Sequence, residues 1–370
     1  MKGSSCGDRL AVERLFIPPD QEGPSMILVR QRRSAACFVE PGSAKSHIPG
    51  ARPLLTALAL VLTITACGGA QSSTSAAPTT PTPSVSSSPT ATDDGAQFPV
   101  TVSAANDDVT VQERPEAVVS LSPTATEMLF AVGAGDQVAA VDEFSTHPSE
   151  APTTDLSGFE PNVEAIAGYD PDLVVIADDG ADLTGALAEL DIPVLLAPAA
   201  TTLDDTYEQI EQLGTVTGHA DEADEVVEQM RDDIADITSN LPETDEPLTY
   251  FHELDDMYYT VTSDTFIGHV YETAGLTSIA DEAGGDAGGY PQLSEEFIID
   301  ADPDLIFLAD AQCCGQTAET VADRPGWDQI RAVREGAVVE LDEDVASRWG
   351  PRIVEMLRTV GDAVAEHADG

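Results

Sequence analysis

Two glutamates, Glu164 and Glu296, are the residues whose spacing first suggests chemistry, because they lie 132 residues apart in matching segments. Residues 162–178 align without a gap on residues 294–310, and each segment contains Asp-Pro-Asp-Leu and ends in Ala-Asp. Two carboxylates can act as acid and base on one bond when they lie about 5–9.5 Å apart. Carboxylates that lie farther apart suit a partner with two basic sockets. On spacing alone, each glutamate is also an ordinary residue for the first turn of a helix.

The sequence around each glutamate predicts a short helix followed by a buried strand. A capping residue, Asn162 or Ser294, precedes the helix and places the glutamate in its first turn, facing solvent. The helix should stop before Asp-Pro, because a residue before proline avoids the α region. Duplicated units would place the two glutamates at equivalent positions on separate lobes, which favours docking on a partner over joint catalysis.

Apolar runs alternate with helical patterns on both sides of the repeat. Strands are predicted at residues 117–121, 138–142, 173–177 and 192–197 in the first half, and at 248–253, 258–262, 304–309 and 336–341 in the second. A capping box from Thr124 to Glu127 is predicted to open the helix after the first strand. Further helices are predicted from Asp264 and from Pro351. Near-continuous apolar strands separated by helices are typical of parallel sheets covered on both faces.

A helical region at residues 203–240 separates the two halves. Its second part carries apolar residues at helical spacing, which are Ala223, Val226, Val227, Met230, Ile234 and Ile237. A helix of about 20 residues is ~30 Å long, the width of a small domain. The predicted fold class is therefore α/β, with two Rossmann-like lobes of mainly parallel sheet bridged by one long helix. The predicted bounds are 97–218 for the first lobe, 219–242 for the bridging helix and 243–370 for the second lobe with its returning C-terminal helix.

The first 96 residues are predicted to serve export and tethering. Residues 1–66 are interpreted as a signal or pre-sequence, because a short apolar run at 54–66 follows basic residues. Small residues before Cys67 are typical of a lipobox, so we expect Cys67 to be lipidated and to become the N-terminus. Residues 67–96 are rich in Ser, Thr and Pro and are predicted to be a flexible tether. The expected location is the outer face of a cytoplasmic membrane, held by the lipid anchor only.

The part of the chain after the pre-sequence is strongly acidic. The chain contains 67 acidic and 16 basic residues, of which 5 and 8 precede Cys67, so 62 acidic and 8 basic residues remain, a net charge of −54. Such a surface argues against binding to nucleic acid or anionic lipid. Because the acidic residues are spread over every segment, we interpret the charge as solubility in a saline or alkaline exterior rather than as a cation-binding device.

Four ordered segments together resemble the helical-backbone (class III) substrate-binding proteins of ABC importers for cobalamin and ferric siderophores. The segments are residues 118–142, 162–175, 290–310 and 347–357. The resemblance covers about residues 112–366 and implies small closure on ligand binding. It also implies that Glu164 and Glu296 dock on arginines of a dimeric permease, which works with its ATPase. The expected state is a monomer that binds a small-molecule metal chelate.

Aromatic residues in loops are the candidate ligand contacts, because two-lobed α/β proteins bind ligands beyond the carboxyl ends of their strands. The candidates are Phe159, Tyr258, Tyr259, Tyr290 and Trp349. Each could equally be a packing residue. The resemblance supports Trp349, because cobalamin binders carry an aromatic residue before Pro-Arg-Ile. It departs at Phe159, where those proteins use a tryptophan, and this departure leaves the choice of chelate open.

Arg348 and Arg352 complete the predicted ligand set, because guanidinium groups could bind an anionic chelate. They could equally pair with Asp342 or Glu343. Adjacent Cys313 and Cys314 follow a predicted strand; a disulfide between them would be strained but could form in an oxidising exterior. We expect no resident cofactor and no protein-bound metal, because no other metal ligands flank the cysteines.

The function predicted from sequence is capture of an extracellular metal chelate and its delivery to an ABC permease. Cobalamin is favoured over a ferric siderophore or haem for two reasons. The segment 347–353 resembles the corresponding segment of cobalamin binders, and the negative surface would repel anionic complexes at low salt. Two alternatives remain at this point: an extracellular hydrolase that uses paired carboxylates, and a lipoprotein that senses a ligand without transport. No catalytic residue is predicted.

Overall fold

The apolar runs form two four-stranded parallel sheets, one in each half of the chain. The computed structural model describes residues 98–180, 182–244, 246–283 and 288–368. The predicted pre-sequence 1–66 and tether 67–96, with Cys67, lie outside the described residues. Within the described ranges no helix combines the length and the apolarity that a membrane crossing requires.

The first lobe contains one antiparallel hairpin and one parallel sheet. The hairpin consists of β1 (Val100–Ser103) and β2 (Asp108–Val111), and the sheet of β3 (Val118–Ser120), β4 (Val138–Val141), β5 (Leu173–Ile176) and β6 (Val194–Leu196). The helices are α1 (Pro123–Ala131), α2 (Val163–Ala167), α3 (Leu183–Ala188) and α4 (Leu203–Thr217), followed by the bridging helix α5 (Ala220–Ser239). The strand order in the sheet is β4-β3-β5-β6.

The second lobe repeats this sheet. Its strands are β7 (Thr249–Glu253), β8 (Thr277–Ser278), β9 (Leu305–Leu308) and β10 (Val338–Glu340), in the order β8-β7-β9-β10. Its helices are α6 (Phe266–Thr273), α7 (Glu295–Ala301), α8 (Ala311–Cys314), α9 (Ala318–Ala322), α10 (Arg331–Glu335), α11 (Glu343–Ala346) and α12 (Ile353–His367). The two orders correspond strand for strand, which confirms the predicted class of two parallel α/β lobes.

The 132-residue offset seen in the sequence also holds in the strand pairing. Val118 of β3 pairs with Leu173 of β5, and 132 residues later Tyr250 of β7 pairs with Leu305 of β9. One aspartate of each repeat fixes this register. The carboxylate of Asp172 accepts the backbone N–H of the residue before Val118 at 3.0 Å, and that of Asp304 accepts the N–H of the residue before Tyr250 at 2.8 Å.

Each helix stops before the Asp-Pro of its repeat, as predicted: α2 ends at Ala167 with Gly168 as its cap, and α7 ends at Ala301 with Asp302 as its cap. Asp170 has φ of 55° and Asp302 has φ of 46°, so both residues adopt the left-handed conformation. Aspartate is among the residues that tolerate this region, because its short polar side chain can hydrogen-bond locally. The repeated motif therefore encodes the same left-handed residue before proline and the same entry into a buried strand in both lobes.

Side chains from both faces of the sheets are buried, which explains the near-continuous apolar strands. In β5, Leu173 and Val175 face a core that continues through the second lobe, whereas Val174 and Ile176 face a smaller core beneath α2 and α3. The larger core runs from β1 through α4, α5 and α12 into the sheet of the second lobe. The lobes thus share one hydrophobic interior.

The predicted helical region 203–240 is two helices. Gly218 ends α4 with φ of 77°, and α5 turns back along α4. The contact is close at Gly214, where an added Cβ would lie 2.3 Å from the Cβ of Ala223. Helix α12 packs on α5, so the bridge between the lobes is supported on two sides.

Three local predictions were wrong or incomplete. Helix α1 begins at Pro123 and is capped by Ser122, so the residues from Thr124 to Glu127 lie inside the helix and form no capping box. Residues 258–262 form no strand, because Tyr258 has φ of 66° and pairing is limited to one bridge at Tyr259. The β1–β2 hairpin was not predicted; its apolar valines alternate only briefly.

Candidate ligand cleft and docking residues

Two exposed aromatic rings lie at the carboxyl edge of the first sheet. Phe159 is 61% exposed and Phe144 is 40% exposed, and their ring centroids lie 5.6 Å apart in an edge-to-face arrangement. The loop that carries Phe159 is held close to the end of β3, because a Cβ on Gly158 would lie 2.5 Å from the carbonyl oxygen of Leu121. Phe159 was predicted from the sequence but Phe144 was not, because the Glu-Phe-Ser context of Phe144 carries no distinguishing signal.

A buried polar network fixes the loop that carries Phe144. Asp142 bridges to Leu156, and its carboxylate accepts hydrogen bonds from the hydroxyl of Ser145 and from the backbone N–H of Phe144. Burial raises the pKa of Asp142, and these hydrogen bonds oppose the rise. The hydroxyl of Ser145 also contacts that of Thr126 on α1. These contacts hold the backbone that carries both aromatic rings.

Three predicted ligand residues lie at the carboxyl edge of the second sheet. Tyr258 packs on buried Trp327 with centroids 5.6 Å apart. Tyr259 forms the bridge to Gln292, and Tyr290 is half-buried, with a pKa that burial raises. All three rings are partly enclosed by protein, in contrast to Phe159. The structure thus brings them together at one edge and leaves part of each surface open.

Arg348 and Arg352 converge on Glu127, a residue of α1 in the first lobe. Arg348 donates to one carboxylate oxygen of Glu127 at 2.6 Å, and Arg352 donates to both oxygens at 2.7 and 2.9 Å. The side chains of Glu127 and Arg348 are 3% and 8% exposed. We call this ion triad the interlobe clamp. Arg348 also pairs with Asp344 at 2.7 Å. The sequence left open a pairing of the arginines with Asp342 or Glu343, and among the described residues neither acid forms an ion pair with them.

The segment around the interlobe clamp touches the first lobe at further points. Arg348 donates to the carbonyl oxygen of Phe144 at 3.2 Å, and the hydroxyl of Thr146 donates to Asp344 at 3.1 Å. The indole N–H of Trp349 donates to Gln209 on α4 at 2.8 Å. Trp349 is half-buried in this position, so part of its ring serves packing between the lobes.

Glu164 and Glu296 occupy the second position of α2 and α7, and both are exposed. Asn162 caps α2 by accepting the N–H of Ala165 at 3.0 Å, and Ser294 caps α7 by accepting the N–H of Phe297 at 3.2 Å. Among the described residues, neither glutamate takes part in an ion pair.

Both glutamates lie close to the carboxyl edges of the sheets. Glu164 follows the Phe159 loop, which packs at the end of β3. Glu296 follows residues 291–293, which bond to residues 258–260 beyond the end of β7. The two carboxylates therefore stand beside the edges that carry the aromatic candidates.

Comparison with known proteins places this architecture in a family. A family model for periplasmic binding proteins matches residues 118–345. An uncharacterized ABC transporter substrate-binding lipoprotein, YvrC, of Bacillus subtilis (strain 168) is 32% identical over 277 residues, which cover 72% of this chain and 86% of the relative. The chain belongs to the periplasmic binding protein family. The family predicted from the four sequence segments, the substrate-binding proteins of ABC importers, is thereby confirmed.

Two further proteins resemble this periplasmic binding protein. A cobalamin-binding protein of Halobacterium salinarum (strain ATCC 29341 / DSM 671 / R1) is 35% identical over 281 residues, or 73% of this chain and 75% of the relative. The solved structure of the periplasmic vitamin B12 binding protein BtuF of Vibrio cholerae has a TM-score of 0.58 at 23% identity. It covers 70% of this chain and 99% of its own, and it shows the shared fold.

A buried acid pair that sequence analysis missed lies beneath the second edge of this periplasmic binding protein. Glu253, at the end of β7, accepts two hydrogen bonds of 2.6 Å from Arg324, whose guanidinium lies over the ring of Trp327. Asp310, just beyond β9, is fully buried, and its carboxyl group lies within hydrogen-bond reach of that of Glu253. Burial, reinforced by the charge of Glu253, raises the pKa of Asp310 to about 7. The sequence signal for this pair was an acidic residue at or just beyond the end of an apolar strand, as at Glu253 and Asp310.

Two surface cavities lie elsewhere on this periplasmic binding protein. One of about 740 Å³ is lined by residues of β2 and by the amino edge of the first sheet, among them Glu113, Glu116, Asp172 and Asp191. The other, of about 470 Å³, lies between β1 and α4. Neither contains any predicted ligand residue. We favour the carboxyl edges as the ligand site, because both cavities lack aromatic side chains and the larger is lined by acids.

Removing the carboxylate of the interlobe clamp should destabilise the protein. Glu127→Gln keeps the size of the side chain but leaves Arg352 without its ion-pair partner and Arg348 with Asp344 alone, and breaking a buried pair costs about 3–5 kcal/mol. We expect a fall of that size in the free energy of unfolding, measured by urea denaturation. Glu366→Gln, on the exposed face of α12, should change it by less than about 0.5 kcal/mol. Equal midpoints for Glu127→Gln and the wild type would contradict the assigned role.

The proton on Asp310 should give the protein a distinct pH dependence. The folded protein binds this proton more tightly than the unfolded chain, in which an aspartate ionises near pH 4. Stability is therefore lost as the pH rises from about 4 to about 7. Asp310→Asn should flatten this slope in urea denaturation between pH 4 and 8, whereas Asp300→Asn, at an exposed position, should keep it. The same slope in wild type and Asp310→Asn would show that Asp310 ionises normally.

Proposed function

We propose that this periplasmic binding protein is the lipid-anchored solute receptor of an ABC importer and that it binds a metal chelate of the cobalamin class. The observation that carries the proposal is the exposed pair Phe144 and Phe159 at the carboxyl edge of the first sheet. Aromatic faces provide large, flat apolar contacts for a macrocycle. Tyr258, Tyr259 and Tyr290 form the opposing wall in this proposal, with Trp349 between the lobes.

The charges near the edges support cobalamin over an anionic ferric chelate. Arg348 and Arg352, the cations that could receive an anion, are both paired with Glu127, and Arg348 also pairs with Asp344, so two carboxylates balance the two guanidinium charges. Arg324, beside Tyr258, is likewise occupied by Glu253. The net charge of −54 after the pre-sequence repels anions further. The name of the Halobacterium salinarum relative, a cobalamin-binding protein, agrees with this choice.

Phe159 should contribute directly to binding. Removing its ring in Phe159→Ala takes away a stacking face, and we expect the Kd for cyanocobalamin to rise at least about 10-fold, which corresponds to about 1.4 kcal/mol. Isothermal titration calorimetry measures this change. Tyr169→Ala is the matched control: its ring is 39% exposed, but it lies at the amino edge of β5, and the Kd should not change. Wild-type affinity in Phe159→Ala would remove Phe159 from the site.

A wild-type protein that binds ferric siderophore or haem but not cyanocobalamin would refute the proposed ligand class while leaving the importer role intact. The same titrations, carried out with one ferric hydroxamate and with haem, make this distinction.

The docking role of Glu164 and Glu296 is proposed from their equivalent positions and exposure. Two exposed carboxylates beside the two carboxyl edges can pair with two basic sockets while the ligand stays enclosed between the lobes. We propose that the sockets belong to the two halves of a permease dimer, which moves the ligand with its ATPase. The receptor acts as a monomer in this scheme.

Glu164→Ala combined with Glu296→Ala should abolish uptake without changing ligand affinity, because neither carboxylate faces the ligand. Transport is measured as uptake of radiolabelled cyanocobalamin by cells that carry the importer, and ligand affinity is measured by calorimetry. Glu225→Ala combined with Glu228→Ala removes the same charge from the exposed face of α5 and should leave uptake intact. Normal uptake by the Glu164 and Glu296 double variant would end the docking assignment.

The lipid anchor on Cys67 is proposed from the small residues before it and from the tether that follows. Two acyl chains bind a membrane stably, whereas one chain binds only marginally. Mass spectrometry of the protein extracted from membranes should identify a diacylated Cys67 as its first residue. A mature N-terminus at any other residue would exclude this anchor.

A further inference from the structure

The adjacent cysteines Cys313 and Cys314 form an exposed dithiol that the proposed ligand site does not use. Both residues lie in the single turn of α8, directly after the strand β9 and Asp310. Their sulfur atoms lie 2.6 Å apart, which is nearer to the length of an S–S bond, about 2.05 Å, than to the separation of two unbonded sulfur atoms. Both are accessible to reagents in solution.

The dithiol turn is tied to the segment that carries the interlobe clamp. The backbone N–H of Cys313 donates to the carboxylate of Glu343, the first residue of α11. Helix α11 leads directly to Arg348, which binds Glu127 of the first lobe. The side chain of Gln312 also donates to Asp342, the cap of α11, so the conformation of the turn is linked to the contact between the lobes through two hydrogen bonds and one short helix.

A disulfide between adjacent residues is easily reduced. A trans peptide fixes neighbouring Cα atoms about 3.8 Å apart, whereas ordinary disulfides need about 4.4–6.8 Å, so closing the ring strains the peptide between the residues. Strained and exposed disulfides are the labile ones, in contrast to structural disulfides, which resist reduction. The helical turn also ends here at Gly315, which has φ of 73°, and a Cβ added to Gly315 would meet no heavy atom within 4 Å, so the turn has room to rearrange.

We propose that Cys313 and Cys314 are a reversible oxidation site, at which a low-molecular-weight disulfide such as oxidised glutathione converts the dithiol into a vicinal disulfide and thereby releases the hydrogen bond to Glu343. The proposal does not depend on the identity of the transported ligand.

The reaction is an ordinary pair of thiol–disulfide exchanges. The thiolate of one cysteine attacks oxidised glutathione, forms a mixed disulfide and expels one glutathione thiolate. The second cysteine then attacks the protein sulfur of the mixed disulfide and expels the second glutathione. Two electrons pass from the protein to glutathione, and the two thiol protons end on the two reduced glutathiones. Partial burial, the contact with Cys314 and the carboxylate of Glu343 raise the pKa of Cys313.

Peptide mass spectrometry tests the site on the full chain. After equilibration in buffers of increasing oxidised-to-reduced glutathione ratio, free thiols are alkylated and the peptide carrying both cysteines is analysed. We expect a change from two alkylated cysteines to none, with the loss of two hydrogens, and full recovery when reduced glutathione is restored. A pair that stays reduced in the most oxidising buffer, or that stops at a glutathione adduct, would overturn the proposal.

Two single variants separate ring closure from simple reactivity. Cys313→Ser and Cys314→Ser each keep one thiol, so each should stop at a mixed disulfide with one glutathione and never show the loss of two hydrogens that marks ring closure. Phenylarsine oxide, which bridges two thiols, should add one arsenic to the reduced wild type and protect it from oxidation. Equal retention of the arsenical after gel filtration by the single variants and the wild type would contradict a paired site.

Amide hydrogen exchange tests the link to the interlobe clamp. If oxidation breaks the bond from Cys313 to Glu343, exchange should become faster in peptides from α8 and from residues 342–348, and reduction should reverse it. The Cys313→Ser and Cys314→Ser double variant should show no response to oxidised glutathione. A disulfide that forms with unchanged exchange at 342–348 would overturn the proposed link.

Discussion

The buried carboxylate of Glu127 is the constraint on which the arrangement of the two lobes depends. One acidic side chain binds two arginines that lie more than 200 residues away in sequence, and Asp344 supplies the second negative charge. Buried charges are costly unless they are paired and hydrogen-bonded, so the three groups hold one another in place. Because the carbonyl of Phe144 also binds Arg348, the same contact sets the position of the loop that carries the aromatic pair.

The fold could be predicted from sequence wherever the signal was local. The apolar strands around Val118 and Leu173 are buried on both faces, and such strands read as continuous apolar runs. The repeat of Asp-Pro-Asp-Leu identified two equivalent units, because its aspartates perform the same local tasks in each lobe. The caps at Asn162 and Ser294 could be predicted for the same reason, because each capping side chain accepts a backbone N–H only three residues later in the chain.

The site was harder to predict, because its contacts connect residues that are distant in sequence. Thr124 to Glu127 has the pattern of a capping box, yet Ser122 and Pro123 begin the helix earlier and leave Glu127 free to meet two arginines. Glu253 ends β7 and Asp310 follows β9, and only the pairing of these two strands brings the carboxyl groups together. Tyr258 was assigned to a strand because aromatic residues favour strands, but its left-handed backbone excludes it.

The equivalence of the two lobes also bears on how an encounter with the proposed permease would proceed. Both sheets have the same strand order, and each presents one glutamate at the same step of the fold. Two identical sockets would therefore accept the receptor in either of two orientations that differ by a half-turn. The neighbours of the glutamates differ, with Phe159 near one and Tyr290 near the other, so a preference between the orientations must come from them. A first collision with the proposed permease would therefore have two productive geometries. The residues around the two glutamates would select between these geometries only after contact.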